Sequence, residues 1–284
     1  MKVGISGASG HLGKAVLEEI GTRSAGTELV AISRTPYSKG INVENRLGDY
    51  NRPETLVSAY AGLDRLLIIP SADLRKGVRG VQYIAAIDAA VAAGVKHIVL
   101  LSALGTRKQE EPANGASYWV AEQHLIKTAP TWTIVRMSYY AEAFAHEAQM
   151  LAGTGLLTGL SDSRISYVSR DDVAAAVAGV LIGEGHTGAI YSLTGPKSLT
   201  STERAEAATR FTGKQFGFFV LTEEQLRGNM IRAGLPEDVV NVLASIQAAF
   251  AEGVFDVVTG HVEQLSGRAP RPLQQVLDTL LNNA

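Results

Sequence analysis

Three glycines spaced three positions apart carry the clearest chemical statement in this 284-residue sequence. The run Gly7-Ala8-Ser9-Gly10-His11-Leu12-Gly13 follows directly on the apolar stretch Lys2-Val3-Gly4-Ile5-Ser6. A helical pattern over Lys14–Thr22 follows at once. In a strand–turn–helix setting, GxxGxxG is a phosphate-binding turn. Gly7 permits the sharp exit from the strand, and Gly10 lets a pyrophosphate approach the backbone. Gly13 lets the helix lie close to the sheet. The backbone of Ser9, His11 and Leu12 completes the cradle, because a helix N-terminus offers free N–H groups and partial positive charge. The other reading of these residues is a tight βα turn with no ligand.

The second expected strand ends in Val30-Ala31-Ile32-Ser33-Arg34. An acid here would hold the adenosine ribose hydroxyls and favour NAD. None is present. Ser33 and Arg34 stand in its place, and a guanidinium fork suits a 2′-phosphate. Lys39 can assist from the following loop. The expectation is NADP(H), against a simple solvated arginine. The third strand runs out into Gly48-Asp49-Tyr50. There Asp49 can accept from an adenine amino group with Tyr50 packed beside it, or it can cap the turn before Pro53.

These residues need a scaffold that brings strand ends together. Apolar runs at Lys2–Ser6, Glu28–Ser33, Asn42–Leu47, Arg65–Ile69, His97–Leu101 and Thr131–Arg136 alternate with helical patterns. The helical stretches are Gly13–Thr22, Pro53–Tyr60, Gly80–Ala93 and Ser117–Thr128. The strands lack polar alternation, as expected for a parallel sheet buried on both faces. Alternating strands and helices predict an α/β Rossmann fold, a doubly wound parallel sheet with helices on both faces. Ligands on such sheets sit beyond the strand carboxyl ends. Those ends supply Ile69, Pro70 and Ser71, then Ser102, then Met137, Tyr139 and Tyr140.

The second half is less regular. Ser169-Arg170-Asp171-Asp172 opens a helix to Ile182. A strand at Ala189–Leu193, a helix at Ser201–Phe211, a strand at Gln215–Val220 and helices at Glu223–Ala233 and Glu237–Phe250 follow. No Pro- or Gly-rich linker precedes this half. Residues 1–150 are expected to form the cofactor-binding core, and 151–284 a small C-terminal α/β substrate lobe interleaved with it.

Composition narrows the chemistry further. The absence of cysteine removes disulfides, thiolate nucleophiles and Cys-ligated metals. The six histidines (His11, His97, His124, His146, His186, His261) show no metal-ligand spacing, so no metal is expected. A formal charge of −2 gives no basic surplus for nucleic acid. No apolar stretch is long enough to cross a bilayer and no signal peptide is evident, so a cytoplasmic protein is expected. A homodimer is left open.

The glycine turn, Ser33-Arg34, Gly48-Asp49-Tyr50, Ala93-Gly94-Val95-Lys96-His97-Ile98, Val135-Arg136 with Tyr140, Ser169–Ala174 and Leu265-Ser266-Gly267-Arg268 together resemble the NmrA-like atypical short-chain dehydrogenases. The resemblance spans nearly the whole chain. It implies NADP(H) binding and, within the family, quinone and dye reductases.

Ordinary short-chain dehydrogenases carry Tyr-x-x-x-Lys on the helix after the fifth strand. This sequence has Tyr118-Trp119-Val120-Ala121-Glu122. The reductase subgroup carries His-x-x-x-Glu there, so Glu122 fits and Tyr118 departs. A carboxylate nearby opposes phenolate formation and makes Tyr118 a poor base. Tyr118 is either a catalytic phenol or a packed aromatic. Glu122 is placed on the cofactor side. Met137 stands where the relatives carry Asn, which makes the pocket less polar. Tyr139, Tyr140 and Phe144, with Trp119, can wall a flat acceptor, with Tyr140 also a candidate catalytic phenol. Tyr140 and Phe144 can equally be core residues at helical spacing.

The function these features imply is hydride transfer from NADPH to a planar, electron-poor small molecule such as a quinone, dye or conjugated carbonyl. The alternative is a non-catalytic NADP(H)-sensing regulator.

Overall fold

The computed structural model describes residues 1–37 and 42–282. The first half runs β1 (Lys2–Ser6), α1 (His11–Arg23), β2 (Glu28–Ser33), β3 (Val43–Leu47), a short 3-10 turn and α2 (Leu56–Tyr60). It continues through β4 (Arg65–Ile68), α3 (Val78–Ala92), β5 (His97–Ala103), α4 (Asn114–Thr128) and β6 (Trp132–Met137). The second half has α5 (Ala141–Leu151), β7 (Leu156–Gly159), β8 (Ile165–Ser166), α6 (Arg170–Ile182), β9 (Ala189–Leu193) and β10 (Ser198–Leu199). It ends with α7 (Ser201–Thr212), β11 (Gly217–Val220), α8 (Glu223–Arg232), α9 (Glu237–Ala251), α10 (His261–Ser266) and α11 (Leu273–Asn282).

Seven strands form one parallel sheet in the order β3-β2-β1-β4-β5-β6-β9. The order reverses between β1 and β4, and a crevice opens at that reversal on the carboxyl edge. This is the Rossmann-like arrangement expected from the sequence.

Alternation along the strands sends side chains to two cores. Val3, Ile5, Val99, Leu101 and Val135 face α1, α6 and α10. Val30, Ile32, Leu66, Ile68, Ile98, Leu100 and Ile134 face α2, α3 and α4. β5 is buried at every residue, which explains its unbroken apolar run.

β3 corrects one expectation. It is not buried on both faces. Glu44, Asn45 and Leu47 are exposed, because β3 is an edge strand with β2 as its one neighbour. Its polar side chains are used there: Lys2 lies 2.7 Å from Glu44, and Arg46 Nε lies 2.7 Å from the same carboxylate.

The second half contributes directly to the sheet. β9 adds the last strand, and α6 packs on α1 and α10. The remaining elements gather around a third core that includes Phe144, Tyr167, Phe250 and Phe255, except α8, which packs on α9. α5, β7, β8, β10, α10 and α11 were not expected from the sequence. β8 and β10 have two residues each, too few for a periodic signal.

Candidate functional site

The glycine turn is built as its spacing demands. Gly7 has φ +93, and its N–H and that of Ala8 both donate to Ile32 O. A side chain at Gly13 would put its Cβ 2.4 Å from Gly7 O and 2.7 Å from Ala8 Cα. That is backbone against backbone, so Gly13 is a packing glycine. Gly10 differs. Its backbone is extended at φ −74, and an added Cβ would meet only Gly7 O, at an ordinary 3.4 Å.

Gly10 is also the N-cap of α1 and supplies no capping side chain. The first helical bond runs from Lys14 N–H to Gly10 O. The amides of His11, Leu12 and Gly13 accordingly have no acceptor among the described residues. Among the described residues, three helices carry a capping side chain, Ser169 on α6, Thr200 on α7 and Thr222 on α8, while α3, α4, α5, α9 and α10 start without one as α1 does. The open amides of α1, with no Cβ beside them, fit a pyrophosphate.

A cleft of about 460 Å³ opens from this turn. It brings together Gly7, Ser9 and Gly10 from the turn, and Ser33 and Arg34 from the end of β2. Asp49 and Tyr50 follow β3, and Ile69, Pro70 and Ser71 follow β4. Arg34 is exposed and has no partner among the described residues. Asp49 Oδ1 accepts from Asn51 N–H at 3.0 Å, a turn cap, while the residue still lines the cleft. Tyr50 Oη donates to Ile69 O at 2.8 Å and ties the third strand end to the fourth. The side chains of His11 and Leu12 do not line the cleft: His11 is exposed and Leu12 is in the core, so the first turn of α1 can offer its open amides rather than its side chains. Lys39 lies outside the described residues.

Sequence reasoning missed part of this wall. Asn51, Asp73 and Gln82 line the same cleft. Gln82 accepts from Ser71 Oγ and donates to Asn51 Oδ1 at 2.8 Å, a polar chain along the floor. A glutamine inside a helix gives no local signal of this use.

Ser102 and Glu122 are not on the cleft wall. They meet at the carboxyl end of β5 and β6. Ser102 Oγ donates to Glu122 Oε1 at 2.6 Å. Arg136 donates through Nε to Oε1 at 2.9 Å and through Nη2 to Oε2 at 2.5 Å. In the sequence Arg136 stands as a strand end and as part of the family resemblance, but its pairing with Glu122 is not legible there, because a bidentate partner on another element cannot be read from spacing.

Tyr118 is 5% exposed and packs in the sheet core beside Tyr83, with Arg79 5.4 Å above its ring. Its phenol is held above the ordinary range, and the cause is burial, opposed by Arg79. The expected cause, the Glu122 carboxylate, is not the one at work, since Arg136 occupies that carboxylate. Tyr140 is half-buried with Arg170 5.4 Å from its ring centre. Burial raises its phenol too, with a smaller push from Tyr118. Tyr139 packs edge-on against Phe250 and Tyr167 in the third core. Phe144 is fully buried in that same core. Met137 is half-buried against the α1-side core, and Trp119 is half-buried on α4, one position around the helix from Tyr118.

Burial likewise raises Tyr60, Tyr83 and Tyr167. A phenol unfolded titrates near ~10, and these titrate higher when folded. Their contribution to stability is therefore intact below about pH 10 and lost as pH rises further. Melting temperature against pH should turn downward only above about pH 10. A decline beginning near neutral pH with tyrosine ionisation seen in the ultraviolet would contradict this.

Residues 7–183 match a family described as NAD(P)H-binding. The chain is 30% identical over 288 residues to quinone oxidoreductase 2 of Escherichia coli (strain K12), covering 99% of each protein. Among solved structures, an NADPH-dependent quinone oxidoreductase from E. coli, complexed with NADPH, has a TM-score of 0.90 at 29% identity. That match covers 99% of this chain and 100% of the other. The triphenylmethane reductase of Citrobacter sp., complexed with NADP(H), has a TM-score of 0.86 at 26% identity over 98% of this chain and 99% of the other.

Proposed function

This chain belongs to the NAD(P)H-binding family, and from that membership we propose an NADPH-dependent oxidoreductase that reduces planar, electron-poor acceptors such as quinones, dyes or conjugated carbonyls. The observation that carries the proposal is the cleft that joins the glycine turn at the start of α1 to Ser33 and Arg34, Asp49 and Tyr50, and Ile69, Pro70 and Ser71 at the strand ends. Full-length similarity to named reductases favours an enzyme over a sensor.

Bound NADPH supplies the hydride. The chain's residues position it. Gly7, Ser9 and Gly10, with the amides of His11, Leu12 and Gly13, hold the pyrophosphate. Ser33 and Arg34 take the 2′-phosphate, with Lys39 as a further candidate, and Asp49 and Tyr50 border the adenine. Ile69, Pro70 and Ser71 lead toward the nicotinamide side, with Ser102 and Glu122 beyond them. Met137, Trp119, Tyr139 and Tyr140 face the acceptor lobe.

Tyr118 and Tyr140 act as neutral phenols, because burial keeps both protonated. Alcohol oxidation needs a base, and neither phenol can be one near neutral pH. Reduction of an acceptor that stabilises its own anion needs none. Tyr118→Phe should therefore change kcat by less than about tenfold and leave the pH profile's shape unchanged. Loss of a basic limb from the profile would make Tyr118 a true acid–base residue.

Arg34→Ala tests the cofactor assignment. A charge-assisted bond to phosphate contributes about 1.5–3 kcal/mol, so NADPH affinity should fall about 10- to 100-fold. NADH affinity should barely change. Equal losses for both, read by calorimetry, would remove Arg34 from the site.

Within the same proposal, residues 1–150 are the cofactor core and 151–284 the acceptor lobe, with β9, α6 and α10 returning to the core. No helix among the described residues is long and apolar enough to cross a membrane. Cytoplasmic placement and a homodimer are further parts of the proposal.

A further inference from the structure

Arg136 and Glu122 form an ion pair whose two halves are exposed very differently. The Glu122 side chain is 1% exposed and that of Arg136 26%. Both carboxylate oxygens are taken, one of them also by Ser102. Arg136 uses Nε and Nη2 on Glu122, and its Nη1 makes no bond among the described residues. It is not a buried orphan either. The guanidinium is thus gripped from behind, with one edge left open.

A buried ion pair is weak evidence for stability, since an apolar pair of similar volume is often as good. Its place in the fold suggests another use. The cofactor cleft spans the ends of β3, β2, β1 and β4 and stops at Ser71 and its neighbours. Arg136 lies next to the last residue of β6, paired in register with Ser102 of β5. β6 is two strands beyond β4, about 10 Å at the usual strand spacing. A nicotinamide continuing the cleft would lie over β4 and β5, and a flat acceptor stacked on it would reach β6. Of the other guanidinium groups near the two phenols, Arg79 lies over Tyr118 and Arg170 over Tyr140.

We propose that Arg136, clamped by Glu122, is the hydrogen-bond donor that stabilises the negative charge formed on an acceptor oxygen during reduction. The proposal rests on the reductase function above and assigns a residue to those of its acceptors that bear a carbonyl-type oxygen. The C–H bond of NADPH breaks, its hydride forms an O–H bond at one quinone oxygen, and the ring passes the electron pair on to leave the other oxygen as a phenolate. That phenolate takes a proton from water. The overall change is NADPH, quinone and a proton to NADP⁺ and hydroquinone. Arg136 keeps its own proton throughout, because a guanidinium does not deprotonate in proteins. Glu122 is a positioning residue that fixes the fork.

The test compares two acceptors in Arg136→Lys, which keeps a cation beside Glu122 but loses the fork. One acceptor is a benzoquinone. The other is a triphenylmethane dye cation, which takes hydride at carbon and develops no oxyanion. Quinone kcat should fall about 10²-fold, the usual cost of one oxyanion donor. Dye kcat should change less than about threefold, and NADPH affinity should be unaltered. A binding readout stands beside turnover: the absorbance titration of p-nitrophenol on NADP⁺-loaded protein. Unmodified protein should lower the bound phenol's pKa, and Arg136→Lys should lose that lowering.

Equal losses on both acceptors, an unchanged quinone rate, or an unchanged phenol titration would overturn the proposal. Unmodified protein that binds NADPH and reduces neither acceptor would overturn the reductase function beneath it. If Arg136→Lys fails to fold, the neutral pair Arg136→Gln with Glu122→Gln serves the same comparison.

Discussion

Gly10→Asp should bind NADPH about 100-fold more weakly while melting no lower than the unmodified protein. The two effects come from the same carboxylate. Aspartate is a preferred N-cap, and its charge complements the α1 dipole. The space exists, since only Gly7 O lies near an added Cβ. The carboxylate would satisfy the amides that a pyrophosphate otherwise takes, and would repel the phosphates. Gly13→Ala should behave in the opposite sense. Its Cβ meets backbone at 2.4 Å, so α1 must move away from the turn. Overpacking of this kind costs about 1–3 kcal/mol, and thermal melting would show it. If Gly10→Asp lowered the melting temperature as much as Gly13→Ala, the first glycine would be structural and the cradle would have no ligand.

Glu122→Lys should destabilise the fold by about 3–5 kcal/mol, the cost of breaking a buried ion pair. The substitution restores the Tyr-x-x-x-Lys spacing of ordinary short-chain dehydrogenases, and a family argument alone would forecast new alcohol oxidation. The geometry forecasts the reverse. The new ammonium would lie against the Arg136 guanidinium, and Ser102 Oγ would lose the Glu122 carboxylate and keep only Thr106 Oγ1 as a partner among the described residues. Tyr118 would stay protonated, because burial rather than Glu122 holds its phenol up. Urea unfolding should show the loss, and no secondary alcohol should be oxidised. An unchanged unfolding midpoint would mean that the pair contributes nothing to the fold.

The parts of the fold legible in the sequence were those with a local cause. β1, β2 and β9 are found with the bounds expected, and β5 and β6 within two residues. Their apolar runs are the direct imprint of burial between helix layers. β3 was found but misjudged, because edge position depends on strand order and not on its own residues. α5 is not legible in the sequence, where its N-cap Tyr140 and its residue Phe144 are open between pocket and core. Phe144 is core, since it faces Tyr167 at 5.1 Å.

The cofactor side of the site was similarly readable. Glycine spacing, the missing acid after β2 and the Asp49-Tyr50 turn are all short-range features, and the cleft gathers most of them. Long-range pairs were not readable. Arg136 reaches Glu122 across 14 positions, and Gln82 reaches Asn51 across 31. Nothing in a single sequence joins such positions.

One measurement bears most directly on the central claim. Protein carrying one equivalent of NADPH is mixed rapidly, without oxygen, with excess benzoquinone, and the reduced nicotinamide absorbance is followed. A reductase consumes the bound NADPH in a single phase and forms one hydroquinone for each NADPH lost. Tight NADPH binding whose absorbance persists with benzoquinone, a triphenylmethane dye and a conjugated carbonyl alike would contradict the account and leave a nucleotide sensor in its place.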